Sequence, residues 1–557
     1  MARQSPAGAE LSSQKLRTKN WSWRVSLAPK VDLARCRFPD WLSWALLSIV
    51  VGIGAFLYLH DLDAQPFWLD EAITESVALS RGWAFVKLAF ARETNMAFYY
   101  LVLHWWLTLV HPSDFTIRLL SVMCAVSALP MLYVVATKLF DERVGLAAAL
   151  LLAVNPAFLS HAQDARTYSL TVLLTLTSWS AFVDCARAPA RLAILKYVAA
   201  TTLAVYSHSL AVLIIPAQAL SLLYLQPEWC KRRPLLLAMS LVGLLLVPIL
   251  LLTAYWYGGS EEWIAKKIGP PGWASLREVA VTFAGGIAPP RIRQRSLELL
   301  TALGFAMFVA GWVRDMRPAT FRPGAYACSA IALVTPIALL MCISQAIPLF
   351  IVRYVLICLP FFILIVAVGL CRFTDRRLAA SGVVLFALLS LWADHDYYYY
   401  TEGRPRWQEA IRYVDRSARE GDNLVFVPAE SRLEFDHNLK RFCSRTIGLS
   451  VIYPQWNSVY EVGGMYYRND ELSDAALTLT PSRLWVVVEP ELAEISVRRL
   501  VAQLSMRYPS VTVRDFGQIS IIFCAFGSIQ RHALATVPNL QFAAHSLWPG
   551  PTKLLLE

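Results

Sequence analysis

Apolar residues fall along this chain in long blocks separated by short polar intervals. Blocks of about 20 residues match a helix crossing a hydrocarbon core roughly 30 Å thick. Such blocks, or slightly shorter ones, occur at residues 41–60, 118–138, 145–161, 168–184, 193–206, 209–226, 235–257, 296–313, 325–346, 354–371 and 378–394. The stretch Phe98 to Val110 (FYYLVLHWWLTLV) is apolar but short, and its Tyr and Trp suit the headgroup level, so it reads as a helix lying along the interface. After Asp394 the pattern changes to that of a soluble domain. It predicts a helix at Trp407 to Arg419, a turn at Glu420-Gly421-Asp422, and strands at Asn423 to Val427, Arg483 to Val488 and Ile519 to Phe526.

Charge gives the blocks a direction. Counting from a cytoplasmic N-terminus, the clusters Lys138/Arg143, Arg187/Arg191/Lys196, Lys231/Arg232/Arg233, Arg314/Arg317/Arg322 and Arg372/Arg376/Arg377 all fall on the cytoplasmic side, as the positive-inside bias requires. Treating Phe98 to Val110 as a span would invert every later loop. Residues 61–117 and 258–295 then form outer loops, the second marked by Gly269-Pro270-Pro271-Gly272. The predicted fold is mainly α: a polytopic transmembrane bundle of about 11 spans, with a large first extracytoplasmic loop and a small C-terminal extracytoplasmic α/β domain. The expected divisions are a basic cytoplasmic tail over 1–40, a membrane part over 41–394 and the outer domain over 395–557.

Composition agrees with a membrane protein, since 57% of the 557 residues are hydrophobic and 16% charged, and mean hydropathy is +0.47. The net charge of +11 sits largely in short loops and the N-terminal tail, so it implies no nucleic-acid partner. The first block follows a basic segment too long for a cleaved signal peptide, and is expected to remain as an anchor. No CxxC or zinc-type cluster occurs among the ten cysteines. Cys443 and Cys524, both in the outer domain, would be able to pair.

The ionisable residues are one-sided. Asp61, Asp63, Asp70, Glu71, Asp164, Arg166, His208 and Arg353 all map to outer loops or outer helix ends. In WLDEA (Trp68 to Ala72), a favourable helix dipole is the commoner explanation of Asp70 and Glu71 in an arbitrary loop, and the position beside the membrane raises that of a general base. In QDAR (Gln163 to Arg166), residues two apart on a helix do not face each other, so Asp164 and Arg166 should have different partners. His208, in the tight turn of YSHS, reads as a structural histidine or a ligand. Arg353-Tyr354 offers either a snorkelling side chain or a bidentate fork for a phosphate. Asp61-Leu62-Asp63 is a DxD triplet of the kind that holds a divalent ion, but three residues are weak evidence and it reads as loop punctuation.

These motifs carry a family resemblance. WLDEA, FYYLVLHWW, Arg118-Leu119 heading a span, FDERVGLAAALLLAVNP, QDARTY, YSHS, VRYVLICLP and RPRWQEAIRYVDRSAREGD occur here in an order that resembles bacterial membrane glycosyltransferases of the dolichyl-phosphate-mannose protein mannosyltransferase-like superfamily. That group has the GT-C fold and includes aminoarabinose and Rgt-type transferases. The likeness runs from about Trp41 to Val427. It implies an inverting sugar transfer from a polyprenyl-phosphate donor to a glycan, lipid or protein acceptor, at the outer face of a bacterial inner membrane. By the resemblance, Asp70 and Asp164 are catalytic, and Glu71, Gln163, Arg166, Tyr168, His208, Arg353 and Tyr354 bind substrate. Some relatives use a divalent ion, and no ligand set here has convincing spacing for one. The chain departs from the pattern at Met96-Ala97, where relatives usually carry Pro-Pro. The alternative classes are a transporter, which would place functional charges near the midplane and broken helices in matched halves, and a non-catalytic subunit of an envelope complex.

Overall fold

The computed structural model describes residues 39–226, 229–257, 269–286, 291–315, 323–373, 375–399, 405–443, 448–454, 479, 481–489 and 496–526. The basic N-terminal tail, Arg317, Arg322 and residues 258–268 of the second outer loop lie outside them. Each of the eleven apolar blocks is helical. Among the described residues eight helices are long and apolar enough to cross a membrane, and the chain is a multi-pass membrane protein. The other three blocks are shorter or broken. Arg191–Ser207 has 17 residues, and Ser209–Leu225 combines a 3-10 turn with a helix. The third is the pair Glu142–Ala153 and Pro156–Ala162, bent by 62°.

That bend is dictated locally. The residue before a proline avoids the helical region, while proline itself suits the first helical position. Asn155 therefore leaves the helix and caps the next one, its Oδ1 accepting from the Phe158 N–H at 3.0 Å while its Nδ2 donates to the Phe283 carbonyl at 2.8 Å. The short second helix ends at Gln163, and residues 163–167 are not helical. The kink thus delivers QDAR as irregular backbone at one end of the bundle.

Helix Leu359–Cys371 is the core of that bundle, with every residue from Leu359 to Leu370 buried. It crosses helix Arg291–Asp315 at Gly304 and Gly369, where a Cβ on Gly369 would lie 1.8 Å from the Gly304 carbonyl oxygen. Small residues permit this backbone approach, the usual means of packing helices in lipid.

The first outer loop is a small layer of its own, comprising helices Leu69–Leu79, Gly82–Lys87 and Ala97–Leu109 joined by a π-turn at Leu88–Arg92 and a 3-10 turn at Thr94–Met96. The stretch expected as a helix along the interface is helical over Ala97–Leu109. It buries Tyr99, Tyr100, Leu103 and Leu107 and leaves Trp105 and Leu109 exposed. Met96 and Ala97, where relatives carry Pro-Pro, are buried at its start.

The C-terminal unit holds one five-stranded sheet of order β2-β1-β3-β5-β4, formed by β1 (Asn423–Val427), β2 (Ser450–Tyr453), β3 (Arg483–Val488), β4 (Ser510–Phe516) and β5 (Ile519–Ala525). β1 runs parallel to β2 and β3, and β5 is antiparallel to β3 and β4. Alternate residues line opposite faces. Leu424, Phe426, Trp485 and Phe523 pack under helix Trp407–Ser417, while Val425, Val486, Ile522 and Cys524 pack with Leu500 and Leu504. This placement answers whether the two cysteines pair: Cys443 packs with the first cluster and Cys524 lies in the second, so the sheet stands between the two thiols.

Gly369→Ala should destabilise the bundle by about 1–3 kcal/mol through overpacking. Thermal unfolding of the purified protein in detergent checks this, and an unchanged midpoint would contradict the close crossing.

Candidate functional site

The irregular segment 163–167 and the first turn of helix Leu69–Leu79 are joined by one buried carboxylate. Glu71 is 1% exposed. Its Oε1 accepts from Arg118 Nε at 2.7 Å and from the Ala165 N–H at 2.9 Å, and its Oε2 accepts from Arg118 Nη2 at 2.5 Å. Arg118 also donates to the carbonyls of Leu62 and Gln65, each at 2.9 Å, and lies over the Phe67 ring. With a fifth bond from Nη2 to the Pro66 carbonyl at 3.4 Å, all five donors of its fork are used, which suits arginine to a buried planar bridge. Gln163 has a similar task, its amide donating to the carbonyls of Tyr58 and His60 at 3.1 and 2.8 Å. Glu71 and the Gln163 amide N–H groups are thus engaged within the protein, Glu71 with Arg118 and the Ala165 N–H and Gln163 with the end of the first span.

The neighbouring residues form the site. Asp70 Oδ2 lies 3.2 Å from Arg353 Nη1 and 3.7 Å from Arg166 Nη2. Arg166 further donates to the Asp70 carbonyl at 3.2 Å and to Thr74 Oγ1 at 3.3 Å. The Nε of both Arg166 and Arg353 is buried with no hydrogen-bond partner, so each guanidinium keeps an unused donor besides the Nη that faces Asp70. Buried donors of this kind normally find a partner.

Asp164 and Arg166 do have different partners, as their spacing implies. Asp164 Oδ1 accepts from the Trp68 indole N–H at 3.1 Å, and its Oδ2 is 3.9 Å from His161 Nδ1. Arg353 sits over the Trp68 ring, which places Asp164, Trp68, Arg353 and Asp70 in one continuous group. Below it run four rings in contact, with centroid separations of 4.9 Å for His161 and Tyr168, 6.0 Å for Tyr168 and His208, and 5.4 Å for His208 and Tyr354.

His208 is held neutral. Burial and then the positive charges of Arg166 and Arg353 lower its pKa to about 4. Its Nδ1 accepts from the Leu210 N–H at 3.3 Å, which leaves the proton on Nε2. The ring is therefore an uncharged donor beside two cations.

The sequence reading had not singled out Trp68, Glu93, Arg118 or His161 as site residues. Arg118 is an ionisable residue inside a span, a signal that marks function or pairing. Glu93 follows the π-turn, where Tyr100 Oη donates to it at 3.4 Å; nothing in the local pattern marks it. No group of three or more metal-ligating side chains occurs among the described residues. Asp61 has a positive φ of 50° and is exposed.

The fold can be compared with known structures. ArnT from Cupriavidus metallidurans in the apo state superimposes with a TM-score of 0.53 at 12% identity, covering 87% of this chain and 99% of that one. The chain has the GT-C glycosyltransferase fold. The same protein bound to undecaprenyl phosphate also gives 0.53 at 12% identity, covering 87% of this chain and 98% of its own. Residues 95–252 match the family model described as dolichyl-phosphate-mannose-protein mannosyltransferase. No curated protein matches the chain in sequence. The family match contains the kink, QDAR and YSHS, and excludes WLDEA and Arg353, which join the site only through the fold.

Removing one partner of a buried ion pair costs about 3–5 kcal/mol. Arg118→Ala should therefore lower thermal stability by that order and release the outer loop to proteolysis. Wild-type melting and digestion would contradict the role of this bridge.

Proposed function

We propose that this chain is an inverting glycosyltransferase that moves a sugar from a polyprenyl-phosphate donor to a hydroxyl acceptor at the extracytoplasmic face of the membrane. The observation that carries the reading is the meeting of Asp70 with two arginines, Arg166 buried and Arg353 half-buried, each with an unused Nε donor. The GT-C fold and the undecaprenyl phosphate named for the C. metallidurans ArnT structure support it. We place residues 41–394 as the catalytic part and residues 395–557 as an outer domain, with the N-terminus in the cytoplasm of a bacterial cell and the protein in its inner membrane.

The chemistry follows from the positions. A donor phosphate entering from the bilayer takes the free Nε donors of Arg353 and Arg166 together with the Nη groups that face Asp70, and so displaces Asp70 from its ion pairs. The acceptor oxygen attacks the anomeric carbon as Asp70 accepts its proton. The bond from that carbon to the phosphate oxygen breaks, and polyprenyl phosphate leaves with the electron pair. Negative charge develops on the phosphate, where fixed donors in a site of low dielectric stabilise it best. His208 can donate its Nε2 proton to the same oxygens or to a sugar hydroxyl without adding charge. Asp164 fixes Trp68 against Arg353, and Tyr168 and Tyr354 supply the apolar faces on which a sugar ring stacks. Glu71 and Gln163 contribute by holding the two segments in place.

Purified protein in proteoliposomes, supplied with radiolabelled polyprenyl-phosphate sugars and candidate acceptors, tests the proposal. Loss of a general base typically lowers rate by about 10²- to 10⁴-fold, so Asp70→Asn should fold normally and lose transfer by that factor. Turnover by Asp70→Asn at the wild-type rate would remove it from the base role, and no transfer with any donor would remove the enzyme reading. Arg353→Ala should raise the KM for donor far more than Asp164→Asn does.

A further inference from the structure

The helix that carries Asp70 is poorly secured by its own sequence. It has 11 residues, and its N-cap, Trp68, makes no side-chain capping bond. Isolated helices of that length are marginal, and most helix stability comes from tertiary contacts. Glu71 and Glu75 lie four apart on one side of it. Glu71 is held by Arg118 from the span Asp114–Leu139. Glu75 is held from a different part of the chain.

Helix Ser431–Phe442 of the C-terminal unit lies against helix Leu69–Leu79. Its Leu433 enters the apolar cluster formed by Phe67, Ala72 and Ile73. One turn further on, His437 Nδ1 stands 2.7 Å from Glu75 Oε2, and its Nε2 lies 3.2 Å from Asp114 Oδ1. The imidazole stacks on Phe67 with centroids 4.4 Å apart and planes 2° from parallel, and the Arg118 guanidinium lies over that same Phe67 ring at 4.8 Å. Arg441 completes the contact by donating to Asp114 and to the Asp63 carbonyl.

We infer that His437 is a positioning residue, through which the C-terminal unit holds the Asp70 helix against the head of the span Asp114–Leu139. A ring with a carboxylate at each nitrogen is held on both sides only as the imidazolium, whose Nδ1 donates to Glu75 and whose charge pairs with Asp114 at 3.2 Å. The role rests on the function proposed above, since it acts through Asp70. The charged groups around the ring are Glu75 on the Asp70 helix, Asp114 and Arg118 on the span, and Glu434 and Arg441 on its own helix. Burial alone would lower the His437 pKa, but the hydrogen bonds and charges of Asp114 and Glu75 outweigh it and raise it to about 9. Because the folded value lies above the ordinary histidine value, the contribution is complete below pH 6.5 and is lost as pH rises through about 9.

Hydrogen exchange on the full chain in lipid nanodiscs, followed by mass spectrometry of peptides covering residues 66–79, tests this without needing a substrate. Hydrogen bonds to charged groups contribute about 1.5–3 kcal/mol, so His437→Ala should speed exchange there by about 10- to 100-fold at pH 7 while β1 and β3 stay protected. After correction for intrinsic rates, wild-type protection of these peptides should fall as pH passes through about 9. His437→Gln, which keeps a side-chain donor and does not titrate, should show partial protection without that fall. Should His437→Ala also expose β1 and β3, the pH profiles of wild type and His437→Gln decide: a shared profile overturns the inference and divergent ones uphold it. Unchanged exchange at 66–79 in His437→Ala overturns it too. In the transfer assay the same variant should lower kcat and leave the donor KM unchanged. Absence of transfer by every form would count against the enzyme reading alone, because the exchange result stands independently of turnover.

Discussion

A single buried bridge organises the outer end of this molecule. Glu71 has no access to water and accepts hydrogen bonds from a span through Arg118 and from an irregular loop through the Ala165 N–H. A carboxylate in such surroundings is costly unless every lone pair is used. Here that requirement becomes a geometric constraint: helix Leu69–Leu79, residues 163–167 and the head of span Asp114–Leu139 can only come together in one arrangement. Asp70 and Arg166, each adjacent to a member of that bridge, inherit their positions from it. The acidic pair in WLDEA is thus divided between two tasks, with Glu71 fixing the backbone and Asp70 facing the arginines.

Arg353 reaches the site by a separate route. It belongs to the segment leading into helix Leu359–Cys371, the most deeply buried helix of the bundle. It meets the outer loop at Asp70 and the Trp68 ring. The site is accordingly assembled from a rigid side supplied by the bundle and a side supplied by the first outer loop. The C-terminal unit touches the second and, through His437 and Arg441, Asp114 at the head of span Asp114–Leu139. Its contact with helix Leu69–Leu79 lies on the face of that helix bearing Glu75, so the unit can affect the acid without touching the arginines.

Much of this was legible in the sequence where local physics decides the outcome. The span positions follow from hydropathy, and helix Ala97–Leu109 from its length and its Trp and Tyr content. The divergence of Asp164 and Arg166 follows from helical spacing, although the segment is irregular and the spacing argument succeeded because the two side chains leave a tight bend in different directions. Strands β1, β3 and β5 are continuous apolar runs and were visible, whereas β2 is only four residues long and β4 is an edge strand whose SVTVRDF pattern alternates weakly. The pairing of Glu71 with Arg118 was not readable because the two residues are 47 apart and each has a simpler local explanation. His437 gave no signal at all, since a lone histidine on a polar helix is ordinary until the opposing carboxylates are in place. The pairing of the cysteines was undecided for a related reason: composition placed both in one unit, and only the sheet put them on opposite faces.

The central claim is that two arginines from distant segments form a lipid-phosphate site next to Asp70. Its most direct test is an experimental structure of the protein in nanodiscs containing undecaprenyl phosphate. The account predicts phosphate density within hydrogen-bond distance of Arg166 and Arg353, with the Asp70 carboxylate moved off Arg353. Lipid phosphate bound elsewhere on the bundle, with the Asp70 ion pairs intact, would contradict it.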